Sequence, residues 1–407
     1  MFSVDFFKLN RKRICDTVDV DLIVLSANGL VQKSADTTFP LRQDSNFWYL
    51  TGLDIAEAVV VIDKLNAQEY LVLPPRLKHR DLWEGELNIS EITQLSGIGT
   101  VLSNTEGWER LKNTLKNDKV SLGTILPARS YEPNYGMYIN PAKLVFGRKI
   151  KRLADENIVD IRRNLALLRQ VKTTDEISAI KKAVDITSAS LAELQKSLSD
   201  MRSEKEVGIF LSHEFAQRGA NGHAYDPIIA CGKNATTIHY EKNDSILKKG
   251  SLLLLDVGAQ YQKYAADISR TWAIGPASDR QVKVHMAVER VHSYAMSLLK
   301  PGVVLREYEK IVRSRMKKEL LGLGLVTNKD DHLKYYPHLT SHFLGIDVHD
   351  AGDYDLPLAP NTVLTVEPGI YIPQENIGVR IEDDVLITDT GCHNLSASIQ
   401  SHLVYYK

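Results

Sequence analysis

The run Leu252-Leu253-Leu254-Leu255-Asp256-Val257-Gly258 constrains this chain more than any other segment. Four consecutive leucines make a strongly apolar strand, and a carboxylate closes it. Aspartate is disfavoured in strands, and burying it is costly unless it is paired or holds a metal. A second aspartate, Asp267, follows in the strand-like stretch Tyr264–Thr271. An antiparallel return through Gly258–Tyr264 can place the two carboxylates opposite each other on one face. Like charges so placed repel, and a bound cation relieves the repulsion. The alternative is structural: Asp267 pairs with Arg270, and Asp256 caps a turn.

Two later residues have the same character. Glu367 follows the strand Thr362–Val366 and precedes Pro368-Gly369. Glu382 sits in the alternating strand Val379–Val385, which puts Arg380 on its side. Alone, each glutamate reads as a solvated strand end. His338, His342 and His349 fall within one short segment, next to Gly345 and short polar residues, a density that favours a site. His239, in Thr236–Tyr240, is a weaker candidate. Asp256, Asp267, His342, Glu367 and Glu382 together supply four carboxylates and one imidazole, donors suited to hard or borderline divalent cations. If they converge, they can hold two ions sharing a water, which is a hydrolytic arrangement.

A chain of 407 residues favours two domains. Residues 1–155 read as mixed α/β, with strands at Leu22–Leu25, Ala58–Ile62 and Tyr70–Leu73 and a helix-like segment at Glu106–Leu115. The polar, basic stretch Gly147–Lys151 suggests a boundary nearby. Residues 156–407 carry capping boxes at Thr173–Glu176, Ser203–Glu206 and Ser278–Gln281, opening helices to about Leu198, Gly219 and Leu299. Another helix is expected over Leu305–Leu321. Strands are expected at Asp226–Cys231, Ser251–Val257, Ala265–Ile274, Thr362–Val366 and Val379–Thr388. Two helices then strands, twice over, is a repeat of about 110–130 residues. The expected class is α+β, with helices packed on antiparallel sheet.

Composition excludes several functions. The net charge of -1 gives no field for nucleic acid or anionic membrane. Cys15, Cys231 and Cys392 form neither a metal-finger spacing nor a disulfide framework. The N-terminus has no signal-peptide core, and no apolar run approaches the ~20 residues of a membrane span. A cytoplasmic protein is expected. There is no G-x-S-x-G elbow, P-loop or H-E-x-x-H, and nothing local activates Cys231.

At these residues the sequence resembles the pita-bread metallopeptidases. The matches are Asp256 in LLLLDVGAQY, Asp267 in YAADISRTW, His342 in SHFLGIDVHD, Glu367 in TVEPGIY and Glu382 in VRIEDDV. FPLRQDSNFWYLTGLDIAEAVVVI, residues 39–62, resembles the N-terminal domain of the aminopeptidase P branch. RQVKTTDEISAIKKA, residues 169–183, resembles that family's entry into its catalytic domain. Prolidases are the next nearest branch.

The resemblance implies a smaller creatinase-like α/β domain over 1–155 that serves oligomerisation or substrate restriction. It implies a pita-bread catalytic domain with a pseudo-twofold repeat over 156–407. It further implies two divalent ions, Mn2+ in this branch, with Asp267 and Glu382 bridging, Asp256 on one ion, and His342 and Glu367 on the other. A water shared by the ions would attack the bond, and Glu367 would carry its proton to the leaving nitrogen. His239 and His349 would contact substrate, with His338 and Arg380 behind the ligands or beside the substrate. The implied partners are peptides with proline second, or Xaa-Pro dipeptides if the chain is a prolidase, and a homodimer or homotetramer. Trp48, Tyr49, Arg76 or Trp83 could reach a neighbouring site. The family's His-Gly-x-Gly-His becomes His338-Leu339-Thr340-Ser341-His342 here, which alters the pocket wall.

Overall fold

The computed structural model describes residues 2–75, 82, 85–116, 119–128, 133–134, 136–327 and 332–406. Arg76 and Trp83 lie outside them. The chain divides into two compact units, Met1–Leu168 and Arg169–Lys407.

The first unit is built on a mixed six-stranded sheet. Its order is Thr100–Leu102, Gln68–Val72, Val59–Asp63, Leu22–Ser26, Leu122–Thr124 and Ile158–Asp160. The three central strands pair antiparallel, and the outer additions are parallel. The central strands Leu22–Ser26 and Val59–Asp63 are buried at every position, as expected of β-branched runs covered on both faces. The unit ends later than the boundary read near residue 155. Gly147–Lys151 lies inside the helix Pro141–Ala154, which buries Phe146, Gly147 and Ile150. Its basic residues are the outer face of an amphipathic helix, and the chain then adds one more strand at Ile158–Asp160. Trp48 and Tyr49 are buried within this unit against Phe7 and Phe6, so they are core residues and do not reach outward.

In the second unit the capping signals open helices where the sequence places them. Thr173 and Ser278 form full capping boxes over Thr174–Ser197 and Asp279–Leu298. Ser203 caps Glu204–Gln217 by accepting from the Glu206 amide, but the Glu206 carboxylate turns to the Arg202 amide instead of closing the box. A fourth helix covers Leu305–Gly322. Each helix pair precedes antiparallel strands. After the first pair, Ser251–Val257 lies between Ile228–Cys231 and Ile268–Ile274. After the second, Val363–Val366 pairs with Asp383–Ile387, and Gly369–Ile372 with Ile377–Arg380. The core between helices and strands is apolar, including Val284, Val288, Val291, Val312, Met316 and Phe343.

Two expected strands are interrupted. Ala265–Ile274 is broken at Ala266-Asp267, and Val379–Thr388 at Ile381-Glu382. Asp267 and Glu382 occupy these breaks.

Candidate metal centre

The register of the first hairpin corrects one expectation. Ser269, not Asp267, stands opposite Asp256. Asp267 is diagonal to it and precedes the paired strand. The return is tight: a Cβ on Gly258 would lie 1.8 Å from the Ala266 carbonyl oxygen. Only glycine permits this approach, which brings the two aspartates to one phenol. Tyr225 Oη lies 2.6 Å from one carboxylate oxygen of each aspartate. Arg270 does not pair with Asp267. It turns away to Asp383 at 2.6 Å and donates to the Glu382 carbonyl.

The second half supplies the remaining groups. The Glu382 amide donates to the Ser269 carbonyl, and the Asp267 amide to Asp384 Oδ2, each at 3.0 Å. The breaks in the two strands are therefore tied across the halves. Ser269 Oγ donates to Glu382 Oε2 at 2.7 Å and accepts from Arg380 Nε at 2.9 Å. Arg380 also pairs with Asp256 Oδ2. Arg380 and Glu382 are thus joined through Ser269, although the strand between them is not continuous. Glu367 follows Val363–Val366, where its amide donates to the Thr340 carbonyl.

Two of the imidazoles, His342 and His338, are held in defined tautomers. His342 Nδ1 lies 3.1 Å from the Phe343 carbonyl oxygen, which can only accept, so Nδ1 carries the proton. Its Nε2 lone pair faces Asp267 at 3.4 Å and Glu367 at 3.5 Å. His338 likewise donates from Nδ1 to the Leu339 carbonyl and accepts at Nε2 from Tyr371 Oη, which Arg380 contacts in turn. His349 stacks edge-on against His342, ring centres 4.3 Å apart. His239 sits on a loop anchored by the buried Glu204 carboxylate, which accepts from the Cys231 and Ser245 amides and from Tyr240 Oη.

The nine residues expected as metal ligands or beside them line one cavity of about 360 Å³: His239, Asp256, Asp267, His338, His342, His349, Glu367, Arg380 and Glu382. Donor atoms of Asp267, His342 and Glu382 lie within 4.8 Å of one another. Burial, and then mutual repulsion, pushes the Asp267, Glu367 and Glu382 carboxyls well above the usual carboxylate range. Burial first, then Arg380, pushes His338 down to about 3. Burial, then His342 and His239, takes His349 down to about 4. Neutral imidazoles and crowded buried carboxyls fit a divalent cation, which would let the acids ionise together.

Sequence reasoning missed Tyr225, Tyr371 and Ser269. Ser269 was accessible through strand alternation, two residues from Asp267. Tyr225 precedes its strand in a Tyr-Asp-Pro turn and Tyr371 lies in an ordinary apolar strand, so neither carries a local signal.

Residues 178–389 match the family model "Metallopeptidase family M24", and residues 7–122 match "Aminopeptidase P, N-terminal domain". The chain is 31% identical over 395 residues to the Xaa-Pro aminopeptidase of Escherichia coli, covering 91% of this chain and 89% of that one. It is 29% identical over 406 residues to human Xaa-Pro aminopeptidase 3, covering 93% and 78%. Among solved structures, zinc-substituted E. coli aminopeptidase P in complex with product superposes with a TM-score of 0.83 at 29% identity, over 98% of this chain and 96% of that chain. Proline aminopeptidase P II from Yersinia pestis gives 0.83 at 28%, over 98% and 97%. Two family models in this order, and a relative at 31% identity matched over 89% of its length, place the chain in metallopeptidase family M24, within its aminopeptidase P branch.

Proposed function

We propose that this metallopeptidase removes the N-terminal residue of peptides whose second residue is proline. The observation that carries the reading is the convergence of Asp267, His342 and Glu382 in a cavity that also holds Asp256, Glu367 and three further histidines. Asp256, Asp267, His342, Glu367 and Glu382 would hold two divalent ions between them. Mn2+ is the ion proposed, consistent with an oxygen-rich donor set. Bound there, such ions supply an acidified water and a Lewis-acid hold on the scissile carbonyl.

The chain's own groups do the rest. Glu367, 3.5 Å from His338 Nδ1, accepts a proton at its carboxylate and hands it to the leaving proline nitrogen. His239 and His349, which line the cavity, donate N–H groups where negative charge develops on the carbonyl oxygen. Arg380, through Asp256, Ser269 and Tyr371, holds the acid side of the centre in place. Tyr225 cross-links the two aspartates.

Among the described residues no helix is long and apolar enough to cross a membrane. A cytoplasmic location and a homodimer or homotetramer are part of the proposal, with the first unit serving assembly or substrate restriction. Light scattering on the full chain checks the copy number. The activity is tested by release of the first residue from Xaa-Pro-Yaa tripeptides with added Mn2+. No release from a panel of such peptides by metal-loaded protein would overturn the reading, and cleavage confined to Xaa-Pro dipeptides would make it a prolidase.

A further inference from the structure

Leu339 is an apolar side chain left 47% exposed beside the carboxylate cluster. It and Tyr354 line the catalytic cavity, and both also line a second cavity of about 370 Å³. The two therefore stand as a partition between adjoining spaces. The far side has an apolar floor from Leu305 and Tyr308. Its charged groups are already engaged: Arg306 with Asp355, Lys310 with Glu307, and Glu309 with Arg313. A space of that kind suits an apolar side chain better than a charged one.

The partition is fixed in place. Arg313 donates to the His338 carbonyl at 2.9 Å, and Glu309 accepts from the Thr340 amide at 2.9 Å. Ser341 Oγ lies 3.3 Å from Tyr308 Oη. The backbone on both sides of Leu339 is thus pinned, and Leu339 is outside the left-handed region, so its side chain imposes no strain. Its volume is then the variable that sets how far the catalytic cavity extends.

We propose that Leu339 is a specificity-determining residue: it closes the catalytic cavity against the second cavity and limits the size of the apolar substrate side chain that fits beside the scissile bond. The inference rests on the Xaa-Pro reading above. The test uses full-length, Mn2+-loaded protein and two peptide series, Xaa-Pro-Ala and Ala-Pro-Yaa, with Ala, Leu, Phe or Trp at the varied position. The readout is the ratio of kcat/KM for Trp over Ala. In Leu339→Gly that ratio should rise about tenfold in one series, the scale of discrimination that a hydrophobic pocket exerts per group added or removed. In Leu339→Phe it should fall in the same series. Ratios within about twofold of wild type in both series, for whichever variants are active, would overturn the proposal. A wild-type protein that cleaves no peptide of either series overturns the Xaa-Pro reading itself, and this inference with it.

Discussion

The segment carrying His349 is held by a buried charge cluster whose removal should be costly. Asp350 accepts from Lys172 Nζ at 3.0 Å and pairs with Arg169. Asp350, Lys172 and Arg169 are all buried. Asp350→Asn keeps the shape but leaves two buried cations short of their counter-charge. Breaking a buried pair from one side costs about 3–5 kcal/mol. Arg169 retains Asp347 at 2.8 Å, so the lower end, about 3 kcal/mol, is expected. For a unit of this size that is a drop of about 6–12 °C in Tm. Burial alone would raise the Asp350 carboxyl, yet Arg169 and Lys172 hold it below the ordinary value. Its contribution is therefore present above about pH 4, the unfolded carboxyl range, and is lost as pH falls through the folded value. Thermal unfolding of wild type and Asp350→Asn from pH 7 down to pH 3 tests this. The gap between them should be widest at neutral pH and narrow on acidification. The control is Asp355→Asn, which removes an exposed partner of Arg306 and should cost less than about 1 kcal/mol. Equal shifts for the two variants at pH 7, or a gap independent of pH, would refute the reasoning.

Tyr225→Phe removes the hydroxyl shared by Asp256 and Asp267, and titration calorimetry of the metal-free protein should show Mn2+ binding weakened by about tenfold or more. Gly258→Ala brings a methyl into the Ala266 carbonyl, and urea unfolding should record a loss of about 3 kcal/mol or more. Chelation should abolish hydrolysis and lower Tm, and Mn2+ at about a hundred times its Kd should restore about 2.7 kcal/mol, read by a thermal scan.

Local chemistry explains what could be read from sequence. Thr173, Ser203 and Ser278 announce their helices because a cap needs only near neighbours. Asp256 and Asp267 were conspicuous because carboxylates interrupt apolar strands. Their true relation, diagonal and joined through Tyr225, depends on a contact across 42 residues in one case and 31 in the other, and on the register of a hairpin. The break at Glu382 was read as continuous strand because alternation persists through Val379–Val385, while the amide of Glu382 bonds to Ser269 in the other half. Gly147–Lys151 misled for a related reason: a basic helix face and a linker share a composition, and only the burial of Phe146 and Ile150 separates them.

The tie between the two interrupted strands also bears on how the chain folds. Asp267 finds its amide partner at Asp384, and Glu382 finds its own at Ser269. Closing so long a loop is entropically unfavourable until both halves have docked, which makes these contacts late ones. A chain with only one half folded holds only one of Asp267 and Glu382 and no converged donor cluster. Ion capture should therefore follow the last cooperative step of folding, so that the cation selects finished molecules and slows their unfolding without guiding the earlier steps.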